Sequence, residues 1–263
     1  MRLAFSTLAF PDLPFERVVD AAVRYGYEGI ELRIVDGELV SPTLTDEERD
    51  RTKRAIAGAG LALCCVDTSF EIANPDAAID EALAFVELAA ELEAPMIRLF
   101  AGAPDDEAWR ATIARTAERL ATLGERGRAL GVTIGLETHD SFATGEVLAD
   151  VLSGVPQEVG VIWDTLNPIV AGEPPDRTFA AIADRVVHVH IKDGGVPPDL
   201  EENRLLGQGR VPVGAIVGML ARRGYDGWLS VEWEKKWQPA IADADIALPW
   251  YADRVRAMLA ELR

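Results

Sequence analysis

Eight short runs of β-forming residues alternate with eight longer helical patterns along this 263-residue chain. Turn and capping residues separate them, as where Thr45 precedes Asp46-Glu47-Glu48 and Gly60 follows the same helical pattern. Eight such units predict a parallel sheet with helical crossovers, and closure of that sheet gives an α/β fold, a single-domain (β/α)8 TIM barrel over residues 1–263. The predicted strands are Leu3–Thr7, Gly29–Arg33, Leu61–Thr68, Pro95–Ala101, Val132–His139, Val159–Asp164, Val186–Lys192 and Trp228–Glu234. The predicted helices are Pro14–Tyr25, Asp46–Ala59, Asp76–Leu92, Asp106–Leu130, Thr144–Leu152, Arg177–Ala183, Val213–Arg223 and Asp243–Leu262.

An open doubly wound sheet is the rival fold for alternating strands and helices. Such sheets typically carry a glycine-rich nucleotide-binding turn after an early strand. The first predicted strand runs instead into Ser6-Thr7-Leu8-Ala9-Phe10, and the later segment Gly207-Gln208-Gly209-Arg210 lacks the required glycine spacing. The sequence therefore favours the closed barrel and gives no support to nucleotide binding.

The negative charge of the chain argues against two classes of partner, nucleic acids and membranes. It has 26 basic and 44 acidic side chains and a formal charge of −18, which repels nucleic acid phosphates and anionic membrane surfaces. No apolar run reaches the roughly 18 residues of a transmembrane helix, and the N-terminus has no signal-peptide core. Cys64 and Cys65, as neighbours in one strand, are expected to point to opposite faces, so a disulfide between them is strained. We therefore expect a cytoplasmic protein that binds neither nucleic acid nor membrane.

In the last four predicted strands, only one face is apolar. Alternate residues of a strand face opposite sides, so in the seventh strand Val187 and Val189 alternate with His188, His190 and Lys192. The apolar faces are expected to lie under the helices. The polar faces then point into the barrel, with their charges towards its C-terminal end, where the active sites of such barrels lie.

This alternation brings four residues of consecutive strands to a similar depth. They are Glu137, Asp164, His190 and Glu232. Three carboxylates so close repel one another in a partly desolvated cavity, and a divalent cation removes that repulsion. Oxygen ligands with a single imidazole suit Mn²⁺, Mg²⁺ or Co²⁺, with Zn²⁺ as an alternative. In the competing interpretation, the acidic residues form ordinary ion pairs with Arg33, Arg98 and Lys192.

Other inward residues are weaker candidates. His139 shares the face of Glu137, where it contacts substrate or forms a structural hydrogen bond. His188 lies one layer below His190, as a supporting or substrate-binding residue. Glu31 and Arg33 are expected to form a buried ion pair. The long irregular segment Gly194–Pro212 follows the seventh strand and is expected to cover the barrel mouth.

Six motifs span essentially the whole chain. They are Gly26-Tyr27-Glu28-Gly29-Ile30-Glu31-Leu32, Gly135-Leu136-Glu137-Thr138-His139, Trp163-Asp164-Thr165-Leu166-Asn167, His188-Val189-His190-Ile191-Lys192-Asp193, Gly207-Gln208-Gly209 and Gly224-Tyr225-Asp226-Gly227-Trp228 with the following Ser230-Val231-Glu232. In order and spacing they resemble the xylose isomerase-like barrel superfamily of sugar phosphate isomerases and epimerases. This superfamily includes ketose 3-epimerases, hydroxypyruvate isomerase and inosose dehydratase. The resemblance is specific for the superfamily and not for one reaction.

The resemblance implies a metal held by a glutamate, an aspartate, a histidine and a second glutamate, which match Glu137, Asp164, His190 and Glu232. It also implies that the two glutamates are the catalytic acid and base.

Two other positions bear on substrate binding. Many relatives have a histidine three residues after the aspartate, where this chain has Asn167, which makes Asn167 a candidate substrate-binding residue. The arginine that some epimerases use after the seventh strand corresponds to Arg204 or Arg210.

These observations favour a metal-dependent isomerase or epimerase of a small sugar or sugar-like ketone, whose metal acidifies the C–H bond next to a carbonyl. A lyase such as an inosose or related ketopolyol dehydratase is the alternative, since it needs the same metal and base. A phosphodiesterase of the DNA-repair branch would need more than the three histidines present. A non-catalytic sugar-binding protein is a further alternative. The sequence also leaves open whether the protein forms a homo-oligomer.

Overall fold

The structure, a computed structural model, describes residues 1–102, 109–199 and 202–262. Eight parallel strands form a closed barrel in which each strand lies beside the next along the chain and the eighth pairs with the first. The strands are β1 Arg2–Ser6, β2 Gly29–Leu32, β3 Ala62–Glu71, β4 Met96–Phe100, β5 Thr133–Glu137, β6 Val159–Asp164, β7 Val186–Ile191 and β8 Trp228–Val231. The predicted (β/α)8 barrel is confirmed.

Helices surround the barrel. The larger ones are α1 Phe15–Arg24, α2 Asp46–Gly58, α3 Ile79–Glu91, α4 Trp109–Leu130, α5 Gly145–Leu152, α6 Pro175–Ile182, α7 Val213–Arg223 and α8 Ala244–Glu261. The predicted start of the fourth helix at Asp106 lies outside the described residues. Thr45 caps α2 as expected, because its hydroxyl accepts from the Glu48 N–H at 3.3 Å and the Glu48 carboxylate accepts from the Thr45 N–H at 2.7 Å. Among the helices of the described residues, none is long and apolar enough to cross a membrane.

Short elements at the strand ends were not predicted. The two-residue strands Ile34–Val35 and Glu38–Leu39 form a small hairpin after β2, and Asn167–Val170 forms one helical turn after β6. Turns of 3-10 helix follow β1 and β5 at Thr7–Ala9 and Asp140–Phe142. Elements of two to four residues are too short to show a periodic pattern in a sequence.

The main core lies between the barrel and its helices, where the outward residues of the strands are buried. On β6, for example, Val159, Val161 and Trp163 face outward, and the Trp163 ring stacks on Phe179 of α6 at 5.5 Å. The alternation predicted for this strand is therefore confirmed, and its polar end faces inward.

Strand β7 departs from the predicted alternation at Val187. The register between β6 and β7 shifts there, so Val187 is the extra residue of a bulge. Its side chain lies inside the barrel against Cys65, Met96 and Ile162. Gly160 provides the room, because a Cβ at that position would overlap the Val187 methyl groups. The prediction that Val187 belongs to the outer face is wrong, since a bulge moves the alternation by one residue.

A second register shift, between β2 and β3, places both cysteines inside the barrel. Cys64 contacts Ala4 and Trp228, whereas Cys65 belongs to the group around Val187. Both are free, fully buried thiols. The expectation that they point to opposite faces is wrong for the same reason as at Val187. These two apolar groups fill the barrel interior on the N-terminal side of the polar residues.

The segment after β7 is fixed by one buried carboxylate. Asp193 accepts hydrogen bonds from the backbone N–H groups of Gly194, Gly207, Gly209 and Val211 at 2.8–3.1 Å. Gly209 must lack a side chain, because a Cβ there would overlap the Asp193 carboxylate. The Gly-Gln-Gly motif and the aspartate of the His-Val-His-Ile-Lys-Asp motif therefore act together as a loop anchor.

Candidate metal centre and cavity

Four side chains meet where β5, β6, β7 and β8 end. They are Glu137, Asp164, His190 and Glu232. Each is buried, and one ligand atom from each lies within 4.8 Å of the others. Asp164 and His190 are direct neighbours in the register of β6 and β7, which accounts for their common depth. The structure thus brings together the four residues that the sequence predicts as metal ligands.

The turn after β6 orients Asp164. Its Oδ1 accepts backbone N–H groups from Leu166 at 2.7 Å and Asn167 at 3.0 Å. Its Oδ2 lies 2.9 Å from Lys192 Nζ. The short helix Asn167–Val170 therefore uses one carboxylate oxygen and leaves the other directed into the site.

His190 lies among three carboxylates that engage its two ring nitrogens. Nε2 is 2.8 Å from Glu31 Oε1, and Nδ1 is 2.9 Å from Glu137 Oε1 and 3.2 Å from Glu232 Oε2. Glu31 also contacts His188 and the Ser230 hydroxyl in the layer below. A ligating histidine typically has its other ring nitrogen bound to a carboxylate, so Glu31 is placed to orient His190 with Nδ1 towards the site.

The two glutamates have basic neighbours. Arg98 Nη1 is 2.7 Å from Glu137 Oε2. Lys192 Nζ is 2.5 Å from Glu232 Oε2 and 2.9 Å from Asp164 Oδ2. The ion pairs of the competing interpretation thus exist for Arg98 and Lys192, and one lysine serves two of the converging carboxylates.

These charges decide which carboxyl groups stay ionised. Burial would raise the pKa of Glu137, but the charge of His190 is the main influence that lowers it to about 2. Burial would also raise the pKa of Glu232, yet Lys192 and His190 hold it well below its usual range. Burial raises the pKa of Asp164, although Lys192 acts in the opposite direction. Both glutamates therefore carry a negative charge at neutral pH and are in the form that ligates a cation or accepts a proton.

The donor set fits a divalent cation. Asp164 Oδ2 and Glu232 Oε2 are buried, share the single ammonium of Lys192, and share a centre with Glu137 and His190. One ammonium balances only part of the charge of two buried carboxylates, and coordination to a divalent cation would offset the remainder. Three carboxylates and one imidazole suit Mn²⁺, Mg²⁺ or Co²⁺ and accommodate Zn²⁺.

A cavity of 340 Å³ opens beside this centre. It is lined by Leu8, Arg33, Arg98, Phe100, His139, Glu232, Glu234 and Trp237. Glu232 alone of the four converging residues lines it, whereas Glu137 lies behind and is fully buried. A molecule in the cavity therefore meets Glu232 first.

Among the other candidates, His139 lines the cavity. Its ring stacks on Phe100 at 5.0 Å, and its Nδ1 is 2.8 Å from Asp140 Oδ1. Burial would lower the pKa of His139, but Asp140 and Glu137 raise it.

Asn167 and His188 do not line the cavity. The Asn167 side chain donates to the Thr138 carbonyl at 2.9 Å, and its backbone holds Asp164. His188 is fully buried below His190, with their rings 5.4 Å apart. Their placement therefore supports the neighbouring ligands rather than direct contact with a molecule in the cavity.

The arginines proposed from the long segment lie away from the cavity. Arg210 is exposed and pairs with Asp199 at 2.9 Å, and the Arg204 backbone bonds to Asp193 and Tyr251. The segment does lie at the C-terminal end of the barrel, because Asn203 Nδ2 donates to the Glu232 carbonyl at 2.8 Å.

The cavity arginines come instead from strand ends. The prediction that Arg33 pairs with Glu31 is wrong, because Glu31 contacts His188, His190 and Ser230. Arg33 follows Glu31 by two residues and so shares its inward face. That spacing was the available signal, but it does not show where the end of a long side chain lies.

The chain is similar in sequence to known proteins. An inosose dehydratase from Lacticaseibacillus casei is 30% identical over 148 residues, which cover 48% of this chain and 49% of that protein. The chain thus spans about half the length of this curated relative.

Solved structures share the fold. The structure of an L-ribulose 3-epimerase superposes with a TM-score of 0.82 at 19% identity and covers 100% of this chain and 95% of that chain. A probable 3-DHS dehydratase, AsbF from Bacillus anthracis, superposes with a TM-score of 0.79 at 19% identity over 97% of this chain and 99% of that chain. Residues 19–254 match the sequence family described as the xylose isomerase-like TIM barrel. This chain therefore belongs to the xylose isomerase-like TIM barrel family.

Proposed function

We propose that this protein is a divalent-metal-dependent isomerase or epimerase of a small sugar or sugar-like ketone. The observation that carries the proposal is the meeting of Glu137, Asp164, His190 and Glu232 around one point beside the cavity. Membership of a superfamily with epimerase and dehydratase neighbours supports an enzyme of this class.

The four converging residues would hold the metal. When bound there, a divalent cation supplies Lewis acidity that weakens the C–H bond next to a substrate carbonyl. Asp164 is fixed for this by its turn and His190 by Glu31. The chain thus provides a site whose ligands are oriented before a substrate arrives.

The two glutamates would move the proton. Glu232 lines the cavity and is ionised at neutral pH, so its carboxylate can accept a proton from a carbon bound there. Glu137 is ionised as well, within 4.8 Å of the other ligand atoms but behind Glu232. Return of a proton to the opposite face of the same carbon gives epimerisation, and return to the adjacent carbon gives isomerisation.

Two cations would keep these carboxylates in position. Burial would lower the pKa of Lys192, but Asp164, Glu232 and Glu234 hold it well above its usual range, so it stays charged beside Glu232. Arg98 likewise stays charged beside Glu137. Both act as fixed counter-charges when a proton moves.

Dehydration is the second candidate, and the 30% identity to an inosose dehydratase favours it. It needs the same proton abstraction and differs only in the loss of a hydroxyl group one carbon further from the carbonyl.

Proton exchange in D₂O tests the proposal. The chelated protein would be incubated with a panel of ketoses and inososes, with and without added Mn²⁺. Solvent deuterium at the carbon next to the carbonyl, dependent on Mn²⁺ and seen by NMR, is the expected result, and loss of one water from the product identifies the dehydratase. Turnover without solvent exchange would indicate a hydride shift and would overturn the proton-transfer roles of Glu137 and Glu232.

The proposed partner is a small carbohydrate. That the protein is cytoplasmic stays a prediction, as does the possibility that it forms a homo-oligomer. Sedimentation of the purified protein measures the oligomeric state.

A further inference from the structure

Arg33 lies on the cavity wall, and one of its guanidinium nitrogens has no hydrogen-bond partner among the described residues. Its side chain is 5% exposed and lines the cavity beside Arg98. Nη2 donates to the Ser69 hydroxyl at 2.8 Å, whereas Nη1 is buried and makes no hydrogen bond with any described residue. A buried guanidinium nitrogen without a partner is costly, because it has lost its hydration and makes no hydrogen bond in its place.

The nearest acidic groups make no ion pair with Arg33. Burial and the Glu31 charge raise the pKa of Asp67 well above its usual range, and Asp67 Oδ1 lies 3.7 Å from Nε of Arg98. Glu137 is engaged by Arg98 and His190. Among the described residues, Arg33 contacts no carboxylate within 4.0 Å.

Arg33 stays a cation despite these surroundings. Burial and the neighbouring Arg98 charge lower its pKa to about 10, which is still well above neutral pH. Its backbone is also held in place, because the Thr7 hydroxyl accepts from the N–H groups of Arg33 and Ile34 at 2.9 and 2.7 Å. The cavity wall therefore presents a fixed positive charge with a free donor.

The carboxylates of the opposite wall have a cation beside them. Glu232 and Glu234 are both paired with Lys192, and Gln238 donates to Glu234 at 2.6 Å. The remaining lining includes the apolar side chains of Leu8 and Phe100. Among the described residues that line the cavity, Arg33 is thus the charged side chain without an ion-pair partner within 4.0 Å.

We propose that Arg33, with Arg98 beside it, binds an anionic oxygen group of the substrate in this cavity, either a carboxylate or a phosphoryl group. This inference rests on the proposed function and narrows its substrate class from small sugars and sugar-like ketones in general to their acidic derivatives. Guanidinium groups bind both kinds of anion through charge-assisted hydrogen bonds. Arg33 is then a binding and specificity residue, and its interaction does not depend on the chemical step.

Binding of three small probes tests the proposal on the full-length, Mn²⁺-loaded protein. Glycerol, D-glycerate and sn-glycerol 3-phosphate share a three-carbon skeleton and differ in the neutral, carboxylate or phosphate group. Isothermal titration would compare the unchanged protein with Arg33→Gln, and with Arg223→Gln as the matched control, since Arg223 is exposed and pairs with Asp184 on the outside of the barrel.

We expect Arg33→Gln to weaken binding of the preferred anion roughly 10- to 100-fold, with the affinity for glycerol unchanged. Arg223→Gln should bind all three probes as the unchanged protein does. The tighter of the two anions identifies a carboxylate or a phosphoryl group. Equal affinity of the unchanged protein for all three probes, or an unchanged anion preference in Arg33→Gln, would overturn the inference.

Arg33→Lys covers the case in which Arg33→Gln does not fold. It keeps the charge and loses the guanidinium donors, so anion affinity should fall several-fold, and no change would count against the inference. Because binding is measured without turnover, the two proposals fail separately. Arg33-dependent anion binding without solvent exchange on any ketone defeats the proposed function alone, and exchange without Arg33-dependent anion binding defeats this inference alone.

Discussion

Replacing Glu31 by glutamine tests whether the layer below the centre controls metal binding. Glu31 contacts His190 Nε2 at 2.8 Å, His188 Nε2 at 3.3 Å and the Ser230 hydroxyl, and it is fully buried. Glutamine keeps the shape and offers one acceptor oxygen in place of two. Its uncharged oxygen is a weaker acceptor for His190 Nε2, and its NH₂ group then meets His188 Nε2 and the Ser230 hydroxyl, so the charge that orients the His190 ring is lost.

The size of the effect follows from these contacts. Loss of a carboxylate behind a ligating histidine typically weakens metal binding about 10- to 100-fold, which is about 1.4–2.8 kcal/mol. One buried donor without an acceptor adds about 1–3 kcal/mol to the loss of folding stability. Titration calorimetry with Mn²⁺ measures the first effect, and denaturant unfolding of the chelated protein measures the second.

Glu87→Gln is the matched control. Glu87 lies on α3, half exposed and paired with Arg126, so its change should leave metal binding as it was and alter folding stability by less than about 1 kcal/mol. Glu31→Gln with a Mn²⁺ affinity within about twofold of the unchanged protein would refute the role given to Glu31.

Three further outcomes are expected. Glu137→Gln and Glu232→Gln should each lower kcat by about 10² or more and abolish deuterium exchange at saturating Mn²⁺, and exchange at the normal rate in either variant would exclude that residue as acid or base. Chelation should lower the melting temperature, and added Mn²⁺ should restore it. At a Mn²⁺ concentration 100 times Kd, the free energy of unfolding should rise by about 2.7 kcal/mol. Asp193→Asn should lower folding stability by about 3–6 kcal/mol, because one oxygen that accepts two backbone N–H groups becomes a donor, whereas the same change at the exposed Asp199 should cost little.

The barrel and the convergence of four side chains could be predicted because both depend on regular features. Eight repeats fix the topology, and alternation along β5, β6 and β8 assigns Glu137, Asp164 and Glu232 to the interior. His190 was also assigned correctly, although its strand contains a bulge, because the bulge at Val187 lies before it.

Features that depend on contacts between distant residues could not be predicted in the same way. The inward position of Val187 requires the empty space at Gly160 on the neighbouring strand. Arg33 was paired with Glu31 because the two share a face, but the end of a long side chain goes where local donors and acceptors place it, here at Ser69. The length of the segment Gly194–Pro212 suggested that Arg204 and Arg210 reach the cavity. The path of this segment depends instead on its hydrogen bonds to Asp193.

The apolar groups inside the barrel have a consequence for the traffic of small molecules. The groups around Trp228 and Val187 close the axis on the N-terminal side of His188 and Glu31. The interior is therefore a blind passage in the described part of the chain, with its entrance on the side of Trp237, a residue that is 51% exposed. In the proposed function, substrate, product and metal would all pass through that one entrance, so a product would have to leave before the next substrate could reach Glu232.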